Sequence, residues 1–164
     1  MSKKVAGIIL AAGGSSRFGS PKQLLPWRGT TVLNSVVESG RQAGLTPLVV
    51  VLGANSEQIE PRLPGGCVVV INEDWSQGQS SSLRAGLAQL PEDIDGALLL
   101  LGDQPQINPH FCESIIIRGL ETGKITIPYV NDRRANPVYF PKQALKRLAQ
   151  VEGDRGGRAI FSEF

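Results

Sequence analysis

Four short apolar runs recur along the chain with helix-length segments between them: Val5-Ala-Gly-Ile-Ile-Leu-Ala11, Leu48-Val-Val-Val-Leu52, Val68-Val-Val-Ile71 and Ala97-Leu-Leu-Leu-Leu101. Runs with no polar alternation read as strands buried on both faces, and such strands belong in the middle of a layered sheet. The segments between them carry helical spacing. In 31–43, Val32, Leu33, Val36 and Val37 fall on one face and Gly44 supplies a stop. Residues 55–63, capped by Asn55 or Ser56, read as a short helix, and 80–90, 109–120 and 141–150 as further ones; 124–128 and 138–140 read as extended. This alternation predicts an α/β protein: a three-layer, Rossmann-like fold with a mostly parallel central sheet, helices on both faces and right-handed crossovers. In such sheets ligands sit beyond the carboxyl ends of the strands, so the residues that follow each run are the ones that matter.

Composition narrows the function classes. With 164 residues, 41% of them hydrophobic, the chain can fill one core, and residues 1–164 read as a single domain. Seventeen Lys and Arg face fifteen Asp and Glu, there is no basic run, and only 5% of residues are aromatic, which argues against a nucleic-acid surface. Cys67 and Cys112 form no Cys-x-x-Cys or Cys/His cluster with the lone His110, so they read as reduced core thiols rather than as zinc ligands. Met1-Ser-Lys-Lys leads straight into the first run, without a signal-peptide core, and no apolar stretch reaches membrane-spanning length. The expectation is a cytoplasmic protein with no membrane partner.

The first run opens into Ala12-Gly-Gly-Ser-Ser-Arg-Phe-Gly-Ser-Pro-Lys22, which holds three glycines, two cations and no acid. A strand that ends in such a loop can present backbone N–H groups to a chain of phosphates, with Arg17 and Lys22 as countercharge and Ser15 and Ser16 as hydroxyl donors. The spacing is neither that of a P-loop nor that of the dinucleotide fingerprint. A nucleoside triphosphate is therefore the first substrate to consider; a plain glycine-rich turn is the bland reading. After the fourth run, Gly102-Asp-Gln-Pro105 puts the Asp103 carboxylate at the mouth of the sheet, where a hard oxygen ligand could hold Mg²⁺ against the triphosphate. The same motif also fits a turn aspartate that caps the helix beginning near Pro109. After the third run, Asn72 and the successive Ser80, Ser81 and Ser82 could receive a base edge or an anionic group, or simply cap a helix.

Residues 10–22 resemble the signature loop of nucleotidyltransferases that join a nucleoside monophosphate to a phosphorylated acceptor, Leu-Ala-Ala/Gly-Gly-x-x-x-Arg-hydrophobic-Gly-x-x-Lys, at every position. Gly102-Asp-Gln-Pro105 is similar to the form found in the MobA-like NTP transferases of the molybdenum-cofactor branch. The resemblance implies roles residue by residue. Leu10, Ala11, Ala12, Gly13, Gly14 and Ser15 would surround the phosphates and base edge, with Asn72, Ser80, Ser81 and Ser82 completing the nucleotide site. Arg17 would meet the β- and γ-phosphates, Lys22 the α-phosphate, and Asp103 the magnesium ion. Residues 75–83 resemble the branch's Trp-x-x-Gly-hydrophobic-Ser-x-Ser-Leu stretch, except that polar Gln79 replaces an apolar residue. Asn136-Pro137, after Arg133 and Arg134, and Gly153-Asp-Arg-Gly-Gly-Arg158 resemble branch segments near the acceptor, which implies acceptor contacts for Asn136, Pro137, Asp154 and Arg158. Members usually continue for another strand and helix that carry a second acidic metal ligand; here the sequence stops at Phe164, so either a shortened chain or a metal site completed differently is expected, and Glu163 is acidic but has no motif around it.

The activity so implied is transfer of CMP from CTP to the phosphate of molybdopterin with release of pyrophosphate, with Mg²⁺ as cofactor and a molybdenum hydroxylase as possible partner. Ala11-Ala-Gly13 follows the CTP-using rather than the GTP-using form, and the Ala12 methyl narrows the space beside the base. An isoprenoid-pathway or sugar-phosphate nucleotidyltransferase, and a nucleotide-binding chaperone without turnover, are the alternatives.

Overall fold

The computed structural model describes residues 2–14, 16, 17, 19–153 and 156–164. Five strands form the main sheet: β1 (Val5–Ala11), β2 (Leu48–Leu52), β3 (Val68–Ile71), β4 (Gly96–Leu101) and β5 (Val138–Pro141). Their spatial order is β5-β4-β1-β2-β3, with β1, β2, β3 and β4 parallel and β5 antiparallel to β4. The chain winds outward from β1 through β2 to β3, then crosses back to lay β4 on the other side of β1. The order therefore reverses between β1 and β4, and the crevice beyond their carboxyl ends is where this topology places ligands.

The central strands divide their side chains between two cores, as a period of two requires. Ile9 and Ala11 of β1 pack with Val50, Leu98 and Leu100 beneath helices α1 (Val32–Gln42) and α4 (Pro109–Thr122). Ile8 and Leu10 pack with Val49, Val51 and Leu99 beneath α3 (Gln79–Leu87) and α5 (Lys142–Leu148). All seven β1 residues are buried, and a fully buried Val, Ile or Leu among them contributes roughly 1.5–3 kcal/mol. Helices thus cover both faces, as expected. Thr31 caps α1 by accepting the Asn34 N–H at 3.1 Å, and Gly44 takes a φ of 85° just beyond its end.

Two elements differ from expectation. The segment 55–63 is a four-residue helix α2 (Ser56–Ile59) followed by a 3₁₀ turn (Glu60–Arg62), since Pro61 lacks the N–H that an α-helix would use there. Asn55 precedes it in the left-handed region at φ 62° and makes no side-chain cap. Residues 124–128 form no strand; Thr126 alone bridges Tyr139 of β5. Cys112 is fully buried in the core and burial pushes its thiol up to about 11, while Cys67 is half-buried. Among the described residues no helix is long and apolar enough to cross a membrane.

Candidate active site

At the carboxyl ends of β1 and β4 lies a cleft of about 420 Å³. It is lined by Leu10, Ala11, Ala12, Gly13 and Gly14 from the end of β1, by Leu101, Gly102 and Asp103 from the end of β4, and by Trp75, Gly78, Gln79 and Ser82 from the segment that opens α3. Lys22 stands at the mouth, its Nζ 3.4 Å from Asp103 Oδ2. Two side chains 81 positions apart in sequence are thereby brought to one place. Both are substantially exposed, Lys22 by 42% and Asp103 by 49%, so the pair itself adds little stability and exchanges easily for a charged ligand. Asp103 does not cap the following helix: Asn108 does, accepting the Phe111 N–H at 2.8 Å.

The glycines of the loop serve different needs: Gly19 takes a φ of 77°, while Gly14 makes room for a neighbour. A side-chain carbon on Gly14 would lie 3.0 Å from the Trp75 ring, and one on Gly53 would lie 2.6 Å from Trp75 Cβ. Trp75 therefore folds against the loop over two bare backbones. Gly13, by contrast, faces open space, and its place among the cleft-lining residues leaves room for a ligand against the chain.

The serine run does not cap its helix. Gly78 occupies the N-cap of α3 and no side chain caps the helix, so all three serines lie within its first turn. Asn72 Nδ2 donates to Ser81 Oγ and Ser82 Oγ, both at 2.9 Å, and Asn72 Oδ1 accepts the Asp74 N–H at 3.0 Å. Ser81 Oγ lies 2.8 Å from the Gly78 carbonyl. Asn72 and Ser81 thus brace the loop beneath Trp75 from inside, Ser80 is buried with an unpartnered hydroxyl, and of the four polar residues only Ser82 reaches the cleft lining. Ser15 and Asp154 lie outside the described residues, and Arg17 is described through its backbone alone, in a two-residue ribbon (Ser16–Arg17) paired with Ser20–Pro21.

A second hollow of about 340 Å³ adjoins the first, sharing Gln79 and Leu101 with it. Asn136 and Arg158 line it together with Arg134, Phe140, Gly157 and Phe161; Pro137 is buried behind Asn136. Gly157 is needed here for close approach, since a side-chain carbon would strike the Phe140 ring. That contact seats the glycine-rich motif on β5 and carries Arg158 to the hollow. Arg134 stacks over Phe161, its Cζ 5.3 Å from the ring centroid. Two of the four acceptor residues expected from sequence, Asn136 and Arg158, therefore lie beside the first cleft, although they come from the opposite end of the chain.

Among the described residues, the cleft is also lined by side chains to which the sequence reading gave no site role, notably Gln23 and, within the 75–83 motif, Trp75 and Gln79, the last of which lines both hollows. Glu163 is engaged by Arg147, whose Nε donates to it at 2.9 Å, and His110 is almost fully exposed beside Glu113. Size alone does not locate the chemistry. A groove of about 870 Å³ between α3 and α5 exceeds both hollows, but Leu87, Leu90, Ile94 and Leu145 line it and none of the predicted site residues does.

Among the described residues no three His, Cys, Asp or Glu side chains cluster as a ready-made metal cage. One carboxylate at the mouth of a phosphate-sized cleft is nevertheless the donor set that Mg²⁺ and similar hard cations use when substrate phosphates and water supply the other ligands. Asp103 fits that role.

Comparison with known proteins places this geometry. The MobA-like NTP transferase domain matches residues 7–164. Nicotine blue oxidoreductase of Paenarthrobacter nicotinovorans is 39% identical over 97% of this chain and 82% of its own length. The molybdenum cofactor cytidylyltransferase of Escherichia coli is 26% identical over 87% of this chain and 73% of its own. The crystal structure of Rv0371c from Mycobacterium tuberculosis superposes with a TM-score of 0.87 at 35% identity, covering 98% of this chain and 82% of that one. The same protein in complex with manganese superposes with a TM-score of 0.84, covering 96% of this chain and 82% of that one, also at 35% identity. The strand-end cleft, its glycine loop and the acid at its mouth thus sit in a known setting: the chain belongs to the MobA-like NTP transferase family and is a nucleotidyltransferase.

Proposed function

We propose that this protein transfers CMP from CTP to the terminal phosphate of a molybdopterin-type acceptor, and that the product passes to a molybdenum hydroxylase. The observation that carries the reading is the meeting of Lys22 and Asp103, 3.4 Å apart, over the bare backbone of the glycine loop. A triphosphate entering the cleft offers Lys22 a stronger partner than an exposed carboxylate. Lys22 then lies against the α-phosphate and Asp103 is released to a divalent cation, Mg²⁺ or Mn²⁺. The cation, when bound, neutralises charge on the phosphate oxygens and on the leaving pyrophosphate.

Little covalent chemistry falls to the protein. An acceptor phosphate oxygen attacks the α-phosphorus in line, the new P–O bond forms as the bond to pyrophosphate breaks, and the electron pair leaves with pyrophosphate. Positioning and charge neutralisation by Lys22, with Arg17 assigned to the outer phosphates, supply the acceleration. The acceptor occupies the adjoining hollow, where Arg134 and Arg158 offer positive charge, Asn136 an amide, and Phe140 and Phe161 flat apolar faces for a ring system. Ala12, which lines the cleft, is the residue assigned to favour the smaller pyrimidine.

Pyrophosphate release measured with CTP and GTP, Mg²⁺ and Mn²⁺, and molybdopterin against isoprenoid and sugar phosphates tests the assignment. Release only with molybdopterin and preferentially with CTP is expected. Release with another acceptor, or equal rates with the two nucleotides, refutes it. The 39% identity to a protein called an oxidoreductase favours a second reading, in which the cradle holds the pyrophosphate of a nicotinamide dinucleotide for a redox reaction. Consumption of the reduced dinucleotide at 340 nm, without pyrophosphate release, would decide for it.

A further inference from the structure

Four successive carbonyl oxygens run along the floor of the cleft, and every one is occupied. Leu10 O accepts the Gly102 N–H at 2.8 Å and Ala12 O accepts the Ala54 N–H at 3.1 Å, both from neighbouring loops. The two between and beyond, Ala11 O and Gly13 O, accept from one side chain: Gln23 Nε2, at 2.9 Å and 3.2 Å. A carboxamide nitrogen carries two hydrogens, so both are committed and the orientation of the amide is forced. Gln23 is only 6% exposed, and its Oε1 is buried without a partner among the described residues. A glutamine that leaves one buried acceptor unsatisfied is poor packing, and its value lies in what the nitrogen holds.

A polyphosphate lying along a strand end meets two kinds of backbone group: N–H groups attract it and carbonyl oxygens repel it. Turning carbonyls at alternate positions to one side leaves the intervening amides free to face the other. The residue that does so is chain neighbour to Lys22, in the same 3₁₀ turn (Lys22–Leu24), so one turn supplies a cation to the mouth of the cleft and a clamp beneath its floor.

We infer that Gln23 is the positioning residue of the phosphate cradle: by holding the Ala11 and Gly13 carbonyls it sets the loop amides toward the phosphates of the bound nucleotide, without itself reacting. This rests on the nucleotide-site reading given above. Gln23→Met keeps the length and bulk of the side chain and removes both donors. Gln23→Glu keeps the shape and replaces the donors with an oxygen that repels both carbonyls.

Binding of CTP and of inorganic pyrophosphate is measured by calorimetry for the wild-type chain and both variants, alongside thermal unfolding and, with acceptor, KM and kcat. The expected result is a Kd for both CTP and pyrophosphate raised about tenfold or more in Gln23→Met and further in Gln23→Glu, equivalent to at least about 1.4 kcal/mol. The KM for nucleotide should rise while the KM for acceptor stays put. Nucleotide and pyrophosphate affinities unchanged in a folded Gln23→Met overturn the inference, even if its melting temperature falls, because a purely structural glutamine would behave that way. Should Gln23→Glu not fold, Gln23→Met alone decides. Failure of the wild-type chain to bind either ligand is a separate result, which removes the nucleotide-site reading and the role of Gln23 with it.

Discussion

Replacing Gly102 by alanine separates the contribution of strand spacing from that of charge. A methyl at this position would lie 2.9 Å from Ala11 Cβ, 3.0 Å from the Leu10 carbonyl oxygen and 3.1 Å from Leu33 Cδ1. Ordinary carbon contacts lie at roughly 3.5–4.0 Å, so the end of β4 must retreat from β1 by about 0.6–1.1 Å. The first two obstacles belong to β1 itself and cannot swing aside as a long side chain would. Retreat also strains the Gly102 N–H bond to Leu10 O, now 2.8 Å, and carries Asp103 away from Lys22. Overpacking of this kind costs about 1–3 kcal/mol, and each kcal/mol lowers the melting temperature of a domain this size by about 2–4 °C. A misplacement near 1 Å at reacting groups costs about a hundredfold in rate. Calorimetric melting and kcat/KM for pyrophosphate release, measured on one preparation, read both effects. Gly13→Ala is the control, since a methyl there meets nothing within 4 Å: its melting temperature should match or slightly exceed that of the wild type, while nucleotide binding weakens. Wild-type stability and wild-type kcat/KM in Gly102→Ala would refute the reasoning.

Other perturbations reach other parts of the site. Lys22→Ala should lower kcat about 10²- to 10³-fold, as loss of a group that stabilises transition-state charge does, yet leave chemical stability within about 0.5 kcal/mol, because its pair with Asp103 is exposed; urea titration and initial rates check the two halves. Ala12→Gly should lower the ratio of kcat/KM for CTP over GTP about tenfold by opening the floor beside the base, and an unchanged ratio would remove Ala12 from base selection. Alkaline pH should destabilise the fold. The Cys112 thiol, ordinarily at 9.0, is raised to about 11 by burial, and the Tyr139 hydroxyl, ordinarily at 10.0, to about 12 by burial and the nearby Asp95. Between pH 9 and 12 the unfolded chain therefore holds fewer protons than the folded one, and stability must fall as pH rises through that window. Urea midpoints measured across it, with Cys112→Ala to remove the first step, check the sign.

The parts of this architecture that were legible in sequence are those governed by local rules. β1 through β4 announced themselves as apolar runs because strands covered on both faces need no polar alternation, and the cleft followed because strand ends on a parallel sheet share one edge. The meeting of Lys22 with Asp103 was accessible in this way without any knowledge of side-chain contacts. What escaped was whatever depends on a partner distant in sequence. The serines at 80–82 looked like caps or ligands, yet Asn72 claims Ser81 and Ser82 from across the loop. Gln23 is one polar residue among several until the fold brings two carbonyls to its amide nitrogen, and Trp75 shows no purpose until Gly14 and Gly53 are seen beneath it. Pro61, on the other hand, was visible in the sequence, and its cost to a helix over 55–63 was underweighted.

The division of the cleft into two hollows bears on how one family can carry relatives with such different names. The first hollow combines the glycine loop, one lysine and one carboxylate with the side formed by Trp75, Gln79 and Ser82, a set suited to a polyphosphate under the function proposed above. Side chains furnish the second, and they come from the ribbon at Arg134, from β5 and from the glycine-rich segment after α5; none of these lines the first, although Gly153 O accepts the Ser80 N–H at 3.0 Å and so ties that segment to the start of α3. Only Gln79 and Leu101 touch both. If the second hollow takes the acceptor as proposed, changes in its own side chains alter the acceptor while the lining of the first stays the same, one way a shared fold serves unlike chemistries. It follows that Arg134→Ala and Arg158→Ala should raise the KM for acceptor while the Kd for CTP stays at its wild-type value. A matching loss of CTP affinity in those variants would mean that the two hollows act as one, and that the acceptor cannot be assigned from the second alone.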